Sequence, residues 1–161
     1  MTDVRIRDLV EADLPWMAGV ESEIFASAAW SEALIREDWR YGTCRYRAVE
    51  IDGARAGYAV YGYDGDAFHL MNLAIVAACR GRGLAKALVR EFLDEAVRHK
   101  APDAWLEVAV NNKEAIGLYE AFGFEVVRSR RKYYQPGDID ALVMRAQLLP
   151  FVPGGADAAS G

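Results

Sequence analysis

Hydrophobic and polar positions along this 161-residue chain alternate with a period of two in some segments and near 3.6 in others, the periods of strands and helices. The period-two segments, together with short apolar runs bounded by turn residues, predict seven strands. The dipeptides Asp52-Gly53 and Asp64-Gly65 separate three of these strands and are typical of tight hairpin turns. The predicted strands cover 4–9, 46–51, 55–63, 67–76, 105–110, 124–127 and 141–148.

Four segments carry apolar stripes at helical spacing and are predicted to be helices. The clearest of them has Leu84, Leu88, Phe92 and Ala96 at intervals of four residues, and Ser31 is a suitable N-cap for another. The resulting order β-α-α-β-β-β-α-β-α-β-β predicts an α/β sandwich around one mixed sheet. The predicted helices cover 13–25, 32–40, 84–99 and 112–122.

Composition is that of one folded domain over about residues 1–148, with 53% hydrophobic and 27% charged residues. The Gly-, Pro- and Ala-rich segment 149–161 is predicted to be a disordered tail with no function of its own. The longest apolar stretch is far shorter than a membrane span, and the charged N-terminus is unlike a signal peptide. Cys44 and Cys79 lack metal-ligand spacing, so we expect a cytoplasmic protein without a bound metal or disulfide.

The net charge is −5, and it comes from the N-terminal part of the chain. Residues 1–65 hold 7 basic and 12 acidic residues, whereas residues 66–161 hold 12 of each. Such a balance argues against a nucleic-acid-binding protein. It is compatible with a cationic partner, and equally with an acidic surface that only contacts solvent.

A glycine-rich turn, Arg80-Gly81-Arg82-Gly83, lies between a predicted strand and the helix over 84–99. Glycines permit a turn with inward N–H groups, and the helix N-terminus adds partial positive charge, so the turn is suited to phosphate. Lys86 and Arg90 also stand in the first half of this helix, against the preference of the helix dipole, which indicates a bound anion. The alternative is a simple turn with solvated arginines. The spacing is neither a P-loop nor GxGxxG.

The turn resembles the R/Q-x-x-G-x-G/A segment of the GNAT acetyltransferases, here Arg80-x-x-Gly83-x-Ala85, and the order of elements is similar over about residues 4–148. The resemblance implies the GNAT (acyl-CoA N-acyltransferase) fold, a mixed, mostly antiparallel seven-stranded sheet flanked by about four helices. It also implies acetyl-CoA as co-substrate, with the pantetheine arm along one strand and the pyrophosphate at the turn. The implied contacts are Leu73, Ala74, Ile75, Gly81, Arg82, Gly83, Leu84, Ala85, Lys86 and Asn112.

Several further segments resemble the RimI family of ribosomal-protein alanine N-acetyltransferases, among them Trp30-Ser31, 69–74, 105–108 and 131–134. This resemblance implies that the chain acetylates the N-terminal α-amino group of a protein, specifically an Ala- or Ser-started, basic ribosomal protein. Neither nucleic acid nor membrane is an expected partner. The chain departs from the family pattern at Ala29, where Pro is usual, and at Ala109, where Arg is usual, which bears on the identity of the substrate.

Acetyl transfer to an amine requires a proton acceptor for the amine and a proton donor for the departing thiolate. Glu107 lies in an otherwise apolar strand, and the resemblance assigns it the role of general base. The alternative is that Glu107 pairs with a cation at the sheet surface. The resemblance makes Tyr119 the general acid, whereas an aromatic-rich helix also suits a tyrosine of the core. His69 is expected to be a packed strand residue.

The sequence contains no Ser-His-Asp set, and nothing marks Cys79 as an activated nucleophile, so we expect direct attack in a ternary complex. The basic run 128–132 is predicted to protect an edge strand by charge. Trp30, Tyr133 and Tyr134 are weaker candidates for contacts with the substrate. Two other functions stay open: acetylation of a small-molecule or lysine ε-amine, and a catalytically silent acyl-CoA-binding module.

Overall fold

Seven strands and four helices follow one another in the part of the chain that the computed structural model describes, residues 2–65, 67–134 and 139–148. The predicted tail 149–161 and the predicted loop residues Pro136 and Gly137 lie outside this part. The strands are β1 (Val4–Asp8), β2 (Cys44–Ile51), β3 (Ala54–Asp64), β4 (Ala67–Ile75), β5 (Asp103–Ala109), β6 (Glu125–Tyr134) and β7 (Ile139–Gln147). The helices are α1 (Leu14–Phe25), α2 (Glu32–Tyr41), α3 (Leu84–Arg98) and α4 (Lys113–Ala121).

The described strands form one sheet in the order β1-β2-β3-β4-β5-β7-β6. Neighbouring strands are antiparallel except β4 and β5, which run parallel because α3 connects them across the sheet. The predicted mixed α/β sheet and its order of elements are therefore confirmed.

Local sequence explains several boundaries of these elements. The hydroxyl of Ser31 accepts a hydrogen bond from the Leu34 amide at 3.1 Å and caps α2, as predicted. Asp52 and Gly53 both have positive φ, 51° and 82°, as a tight hairpin turn requires. Helix α1 begins at Leu14 and not at Asp13. The Asp13 carboxylate instead pairs with two arginines and accepts a hydrogen bond from the Val10 amide at 2.9 Å.

The strand predicted over 124–127 is longer than expected. It runs from Glu125 to Tyr134 and includes the whole basic run. One edge of β6 pairs with β7, and the other edge has no partner strand in the described chain. Charged side chains suit such an edge strand because they face solvent. The predicted edge position of the basic run is confirmed.

Two apolar cores lie on opposite faces of the sheet. Helices α3 and α4 cover one face, where Leu84, Leu88, Phe92 and Ala96 are all buried, as their spacing predicted. Phe92 stacks on Phe68 with ring centroids 5.4 Å apart. Helices α1 and α2 cover the other face, and the buried strand residues of that core come from β2, β3 and β4. The same face of β5, β7 and β6 contributes no residue to either core.

Strands β4 and β5 diverge inside the sheet. Within the described residues they pair only from Phe68–Ala104 to Leu70–Leu106, although β4 continues to Ile75 and β5 to Ala109. The register between β3 and β4 shifts at the next residue, Met71, which is an extra residue in β4. Such a bulge bends its strand. A gap therefore opens between the two strands at the centre of the sheet.

The close approach of β3 to the end of β4 requires glycine at position 57. A Cβ there would lie 2.5 Å from the Ala74 carbonyl oxygen and 2.6 Å from Ile75 Cδ1. We expect Gly57→Ala to lower the free energy of unfolding by about 1–3 kcal/mol, measured by urea denaturation. The control is Gly19→Ala in α1, where a Cβ meets nothing within 4 Å. That change should be neutral or stabilising, by up to about 1 kcal/mol. Equal effects of the two changes would contradict the close approach.

Candidate active site

Glu107 lies at the mouth of the gap, one residue beyond the last β4–β5 pair. Its neighbours Leu106 and Val108 are buried under α3 and α4, so strand alternation turns the Glu107 side chain to the opposite face. No helix in the described chain packs on that face of β5, β7 and β6, which we call the open face. Among the side chains of the open face are those of Trp105, Glu107, Arg128, Arg130, Val143 and Arg145.

The Glu107 carboxylate contacts two nitrogen groups. His69 Nε2, on β4, lies 2.5 Å from Glu107 Oε2, and Arg130 Nη1, on β6, lies 3.4 Å from Oε1. Neither contact was predicted from the sequence, where His69 was expected to be a packed strand residue and the run that includes Arg130 was expected to protect an edge strand. Its side chain is indeed only 12% exposed, but it spans the point where the two strands separate. Glu107 therefore does pair with a cation, Arg130, which was the alternative to its role as a base, and it also lies at the gap.

These contacts determine the charge of Glu107. Partial burial raises the pKa of its carboxyl, but the hydrogen bond and charge of His69 and the charge of Arg130 outweigh burial. The net pKa is lower than that of an ordinary glutamate, so Glu107 is ionised at neutral pH. Asp64 Oδ2 lies 3.9 Å from His69 Nδ1 and extends the chain of polar groups towards solvent.

Tyr119 stands on the other side of the sheet. It belongs to α4, is 8% exposed, and packs edge-on against Phe124 with ring centroids 5.9 Å apart. Burial raises the pKa of its hydroxyl to about 12. Within the described residues the hydroxyl makes no hydrogen bond. The structure does not bring Tyr119 and Glu107 into contact, because α4 and the Glu107 side chain lie on opposite faces of the sheet.

The glycine-rich turn leaves the N-terminus of α3 open to an anion. Gly81 and Gly83 both have φ of 78°, and a Cβ at either would meet nothing within 4 Å. No side chain caps α3, and its first turn carries no acidic residue. Helices α2 and α4, in contrast, are capped by Ser31 and Asn112. Arg82 and Lys86 are exposed, whereas Leu84 is buried and Ala85 partly buried beneath the turn.

The other predicted cofactor contacts divide into two groups. Leu73, Ala74 and Ile75 form the part of β4 beyond its pairing with β5, so one edge of this segment pairs with β3 and the other faces the gap. Asn112 uses its side-chain oxygen for a different purpose, because Oδ1 accepts a hydrogen bond from the Ala115 amide at 3.2 Å and caps α4.

Trp30 is held next to the bulge of β4 by a buried carboxylate that the sequence reasoning missed. Glu21, on α1, is 1% exposed. Its Oε2 accepts a hydrogen bond from the Trp30 amide at 3.0 Å, and its Oε1 accepts from the Tyr58 hydroxyl at 2.5 Å and from the Asn72 side chain. Glu21 stands four residues after Met17 on the apolar stripe of α1. A charged residue on a buried stripe requires polar partners, and this feature of the sequence could have identified Glu21.

The remaining predicted substrate contacts lie at the end of β6. Tyr133 is 41% exposed, and the guanidinium of Arg130 lies 4.2 Å from the centre of its ring. Tyr134 pairs with Ile139 of β7. Arg130 thus bridges the Glu107 carboxylate and the aromatic ring of Tyr133.

Membrane spans and metal sites are the marks of two other functional classes, and here they concern the described ranges. No helix there is long and apolar enough to cross a membrane. Residues 2–65, 67–134 and 139–148 hold no group of three or more His, Cys, Asp or Glu side chains arranged to bind a metal ion. Cys44 and Cys79 are both free thiols.

Comparison with known proteins agrees with this geometry. The family model described as the acetyltransferase (GNAT) family matches residues 6–124. The chain belongs to the GNAT acetyltransferases. The family predicted from the turn and from the order of elements is therefore confirmed.

Individual GNAT members resemble the chain over most of its length. The ribosomal protein bS18-alanine N-acetyltransferase of Escherichia coli (strain K12) is 30% identical over 141 residues, 86% of this chain and 94% of that protein. The N-alpha-acetyltransferase RimI of Mycobacterium tuberculosis is 30% identical over 147 residues, 88% of this chain and 91% of that protein. The crystal structure of the Escherichia coli ribosomal-protein-S18-alanine N-acetyltransferase superposes with a TM-score of 0.82 at 28% identity, covering 93% and 97% of the two chains. The resemblance to the RimI family is confirmed.

Proposed function

We propose that this GNAT protein transfers an acetyl group from acetyl-CoA to the N-terminal α-amino group of a cytoplasmic protein, an Ala- or Ser-started ribosomal protein. The observation that carries the proposal is the ionised carboxylate of Glu107 at the mouth of the β4–β5 gap, on a sheet face that no helix of the described chain covers. The names of the two relatives that are 30% identical support the type of reaction and the class of substrate.

Acetyl-CoA binds along β4 and at the N-terminus of α3 in this proposal. Backbone groups of residues 73–75 that face the gap hydrogen-bond to the pantetheine arm, since they have no partner strand on that side. The amides of residues 81–86 hold the pyrophosphate, because α3 has neither a side-chain cap nor an acid in its first turn. Asn112 acts by fixing the start of α4, and any contact to the cofactor uses its remaining side-chain nitrogen.

Glu107 acts as the general base. An α-amino group has a pKa of about 7.7–8.0, so a substantial fraction is already neutral near pH 7. The nitrogen becomes far more acidic as it attacks the thioester carbonyl, and a weakly basic carboxylate then suffices to accept its proton. The contact with His69 keeps the carboxylate ionised and orients it towards the gap. The same negative charge attracts an incoming ammonium group.

Tyr119 acts as the general acid on the opposite face. Its raised pKa, about 12, keeps the hydroxyl protonated at neutral pH, so it can donate a proton to the departing thiolate. The gap passes through the sheet, so an acetyl group held in it is accessible to the base from one face and to the acid from the other. This arrangement supports direct attack in a ternary complex, without an acyl-enzyme.

The substrate peptide lies on the open face between Trp30 and the end of β6, with Tyr133 and Tyr134 as further contacts. Trp30 packs partly against the core of α1 and α2, so it gives the peptide a rigid surface to contact. The expectation of a basic partner comes from the resemblance to the RimI family and, loosely, from the net charge of residues 1–65. All seven arginines of that segment are ion-paired to its own acids or to α3, and the acidic excess of the segment remains.

The substrate class is tested with one peptide that carries both a free Ala N-terminus and an internal lysine. We expect acetylation of the α-amino group and none of the lysine, because the lysine pKa of about 10.4 leaves far less neutral amine at pH 7. Mass spectrometry with fragmentation locates the acetyl group. Modification of the lysine alone would contradict the proposal and favour the ε-amine alternative.

The cofactor assignment is tested by Gly83→Asp, which introduces a carboxylate where the pyrophosphate is expected to bind. Acetyl-CoA should raise the melting temperature of the parent protein in a concentration-dependent way, and this shift should vanish in the variant. Gly53→Asp is the matched control, since Gly53 has φ of 82° and equally open surroundings in the β2–β3 turn. A shift retained in Gly83→Asp would place the cofactor elsewhere.

The catalytic roles are separated by Glu107→Gln and Tyr119→Phe. We expect Glu107→Gln to lower turnover at pH 7 by about 10²–10⁴, with partial recovery above the pKa of the amine, because the substrate is then neutral. Tyr119→Phe should also lower turnover, but raising the pH should not restore it. Steady-state kinetics across pH, with the acetyl-CoA melting shift as a folding control, measure both. Glu107→Gln within about threefold of the parent would leave Glu107 a structural ion-pair partner.

A further inference from the structure

The open face of the sheet is basic around Glu107. Arg145 on β7 is the cross-strand neighbour of Trp105, and its guanidinium lies 5.8 Å from the centre of the Trp105 ring. Arg128 on β6 is the neighbour of Val143, which in turn is the neighbour of Glu107. Both arginines are exposed. The two therefore flank the proposed position of the amine on the side away from β4.

These two arginines differ from those of the N-terminal half of the chain. All seven arginines of residues 1–65 form ion pairs with carboxylates. Within the described residues, Arg128 and Arg145 form none, even though Glu125 is the direct cross-strand neighbour of Arg145. Glu107 does not neutralise them, since its oxygens are engaged by His69 and Arg130. The open face therefore has unpaired positive charge next to the reaction centre.

The distances of Arg128 and Arg145 from Glu107 indicate which residues of a bound peptide the two arginines can contact. Strands lie about 4.8 Å apart and rise about 3.4 Å per residue, so Arg145 and Arg128 are about 8 and 10 Å from Glu107 between backbone positions. An extended peptide advances about 3.3–3.6 Å per residue. With its amino group at Glu107, its third and fourth residues come level with the two arginines.

We propose that Arg128 and Arg145 form a subsite that selects peptides with an acidic side chain at the third or fourth residue. The proposal rests on the proposed function, because it requires the N-terminus at Glu107. A carboxylate on the peptide supplies a counter-charge for two arginines that form no ion pair within the described residues, and Trp105 gives its aliphatic part an apolar surface. The subsite acts on the choice of substrate and takes no part in the chemical step.

The test compares Ala-started peptides that differ only by Glu, Gln or Lys at the third and fourth residues. We expect kcat/KM to fall in the order Glu, Gln, Lys, with the Glu peptide about threefold to twentyfold above the Gln peptide, as expected for two exposed ion pairs. The preference should shrink at about 0.5 M salt, where exposed charges are screened.

Charge reversal at both positions, Arg128→Glu with Arg145→Glu, should invert the order of the Glu and Lys peptides. Lys100→Glu, a single reversal of an exposed cation after α3, is the control and should preserve the order. If the double variant does not fold, the single changes Arg128→Gln and Arg145→Gln should each reduce the ratio of the Glu to the Gln peptide. Folding is checked by the melting shift with acetyl-CoA.

The outcomes separate this proposal from the one on which it rests. N-terminal acetylation of the Gln peptide without any preference for Glu would overturn the subsite and leave the proposed function intact. Variants that slow all peptides by the same factor would also overturn the subsite. Failure to acetylate the N-terminus of any peptide would overturn the proposed function and the subsite together.

Discussion

The separation of β4 from β5 is the constraint on which the rest of the site depends. In the described chain, two parallel strands that share three residue pairs and then diverge leave backbone N–H and C=O groups without strand partners along the gap, and one of these groups, the Ile75 carbonyl, accepts a hydrogen bond from Arg80 Nε at 3.2 Å. Unpaired backbone groups are costly when they are buried, so the gap must stay solvated or bind something that replaces the missing strand. The bulge at Met71 supplies the bend in β4, and it puts Met71 and Asn72 on the same side of the sheet. That bend is in turn fixed by the buried carboxylate of Glu21.

The gap also explains why the two proposed catalytic residues are on opposite faces. Glu107 and Leu106 alternate along β5, so a carboxylate at 107 must face away from the helix that carries Tyr119. In the proposed function, both residues act on a substrate that is held in the gap between the two faces. The turn before α3 follows the end of β4 along the chain, so the amides that we propose to bind the pyrophosphate come directly after the strand that borders the gap. In the proposed function, this one topological feature relates the cofactor, the base and the acid to one another.

The sequence predicts what depends on local pattern. The buried stripe of α3, the Ser31 cap and the Asp52-Gly53 turn are decided by residues within a few positions of one another, and all three are found in the structure. The contact between His69 and Glu107 could not be predicted, because it requires the register of two parallel strands that are 38 residues apart along the chain. Glu21 was overlooked because its apolar stripe masked it. The arginines of β6 were predicted to protect an edge strand. Their proximity to Glu107 could not be predicted, because it depends on the strand order β5-β7-β6.

Hydrogen–deuterium exchange of the backbone amides, with and without acetyl-CoA, tests most directly whether the β4–β5 gap is the cofactor site. If acetyl-CoA binds in the gap, it slows exchange in residues 71–76 and in the first turn of α3, while exchange in β1 and β2 stays unchanged. Unchanged exchange in β4 and α3 at saturating acetyl-CoA, or protection confined to another part of the sheet, would contradict it.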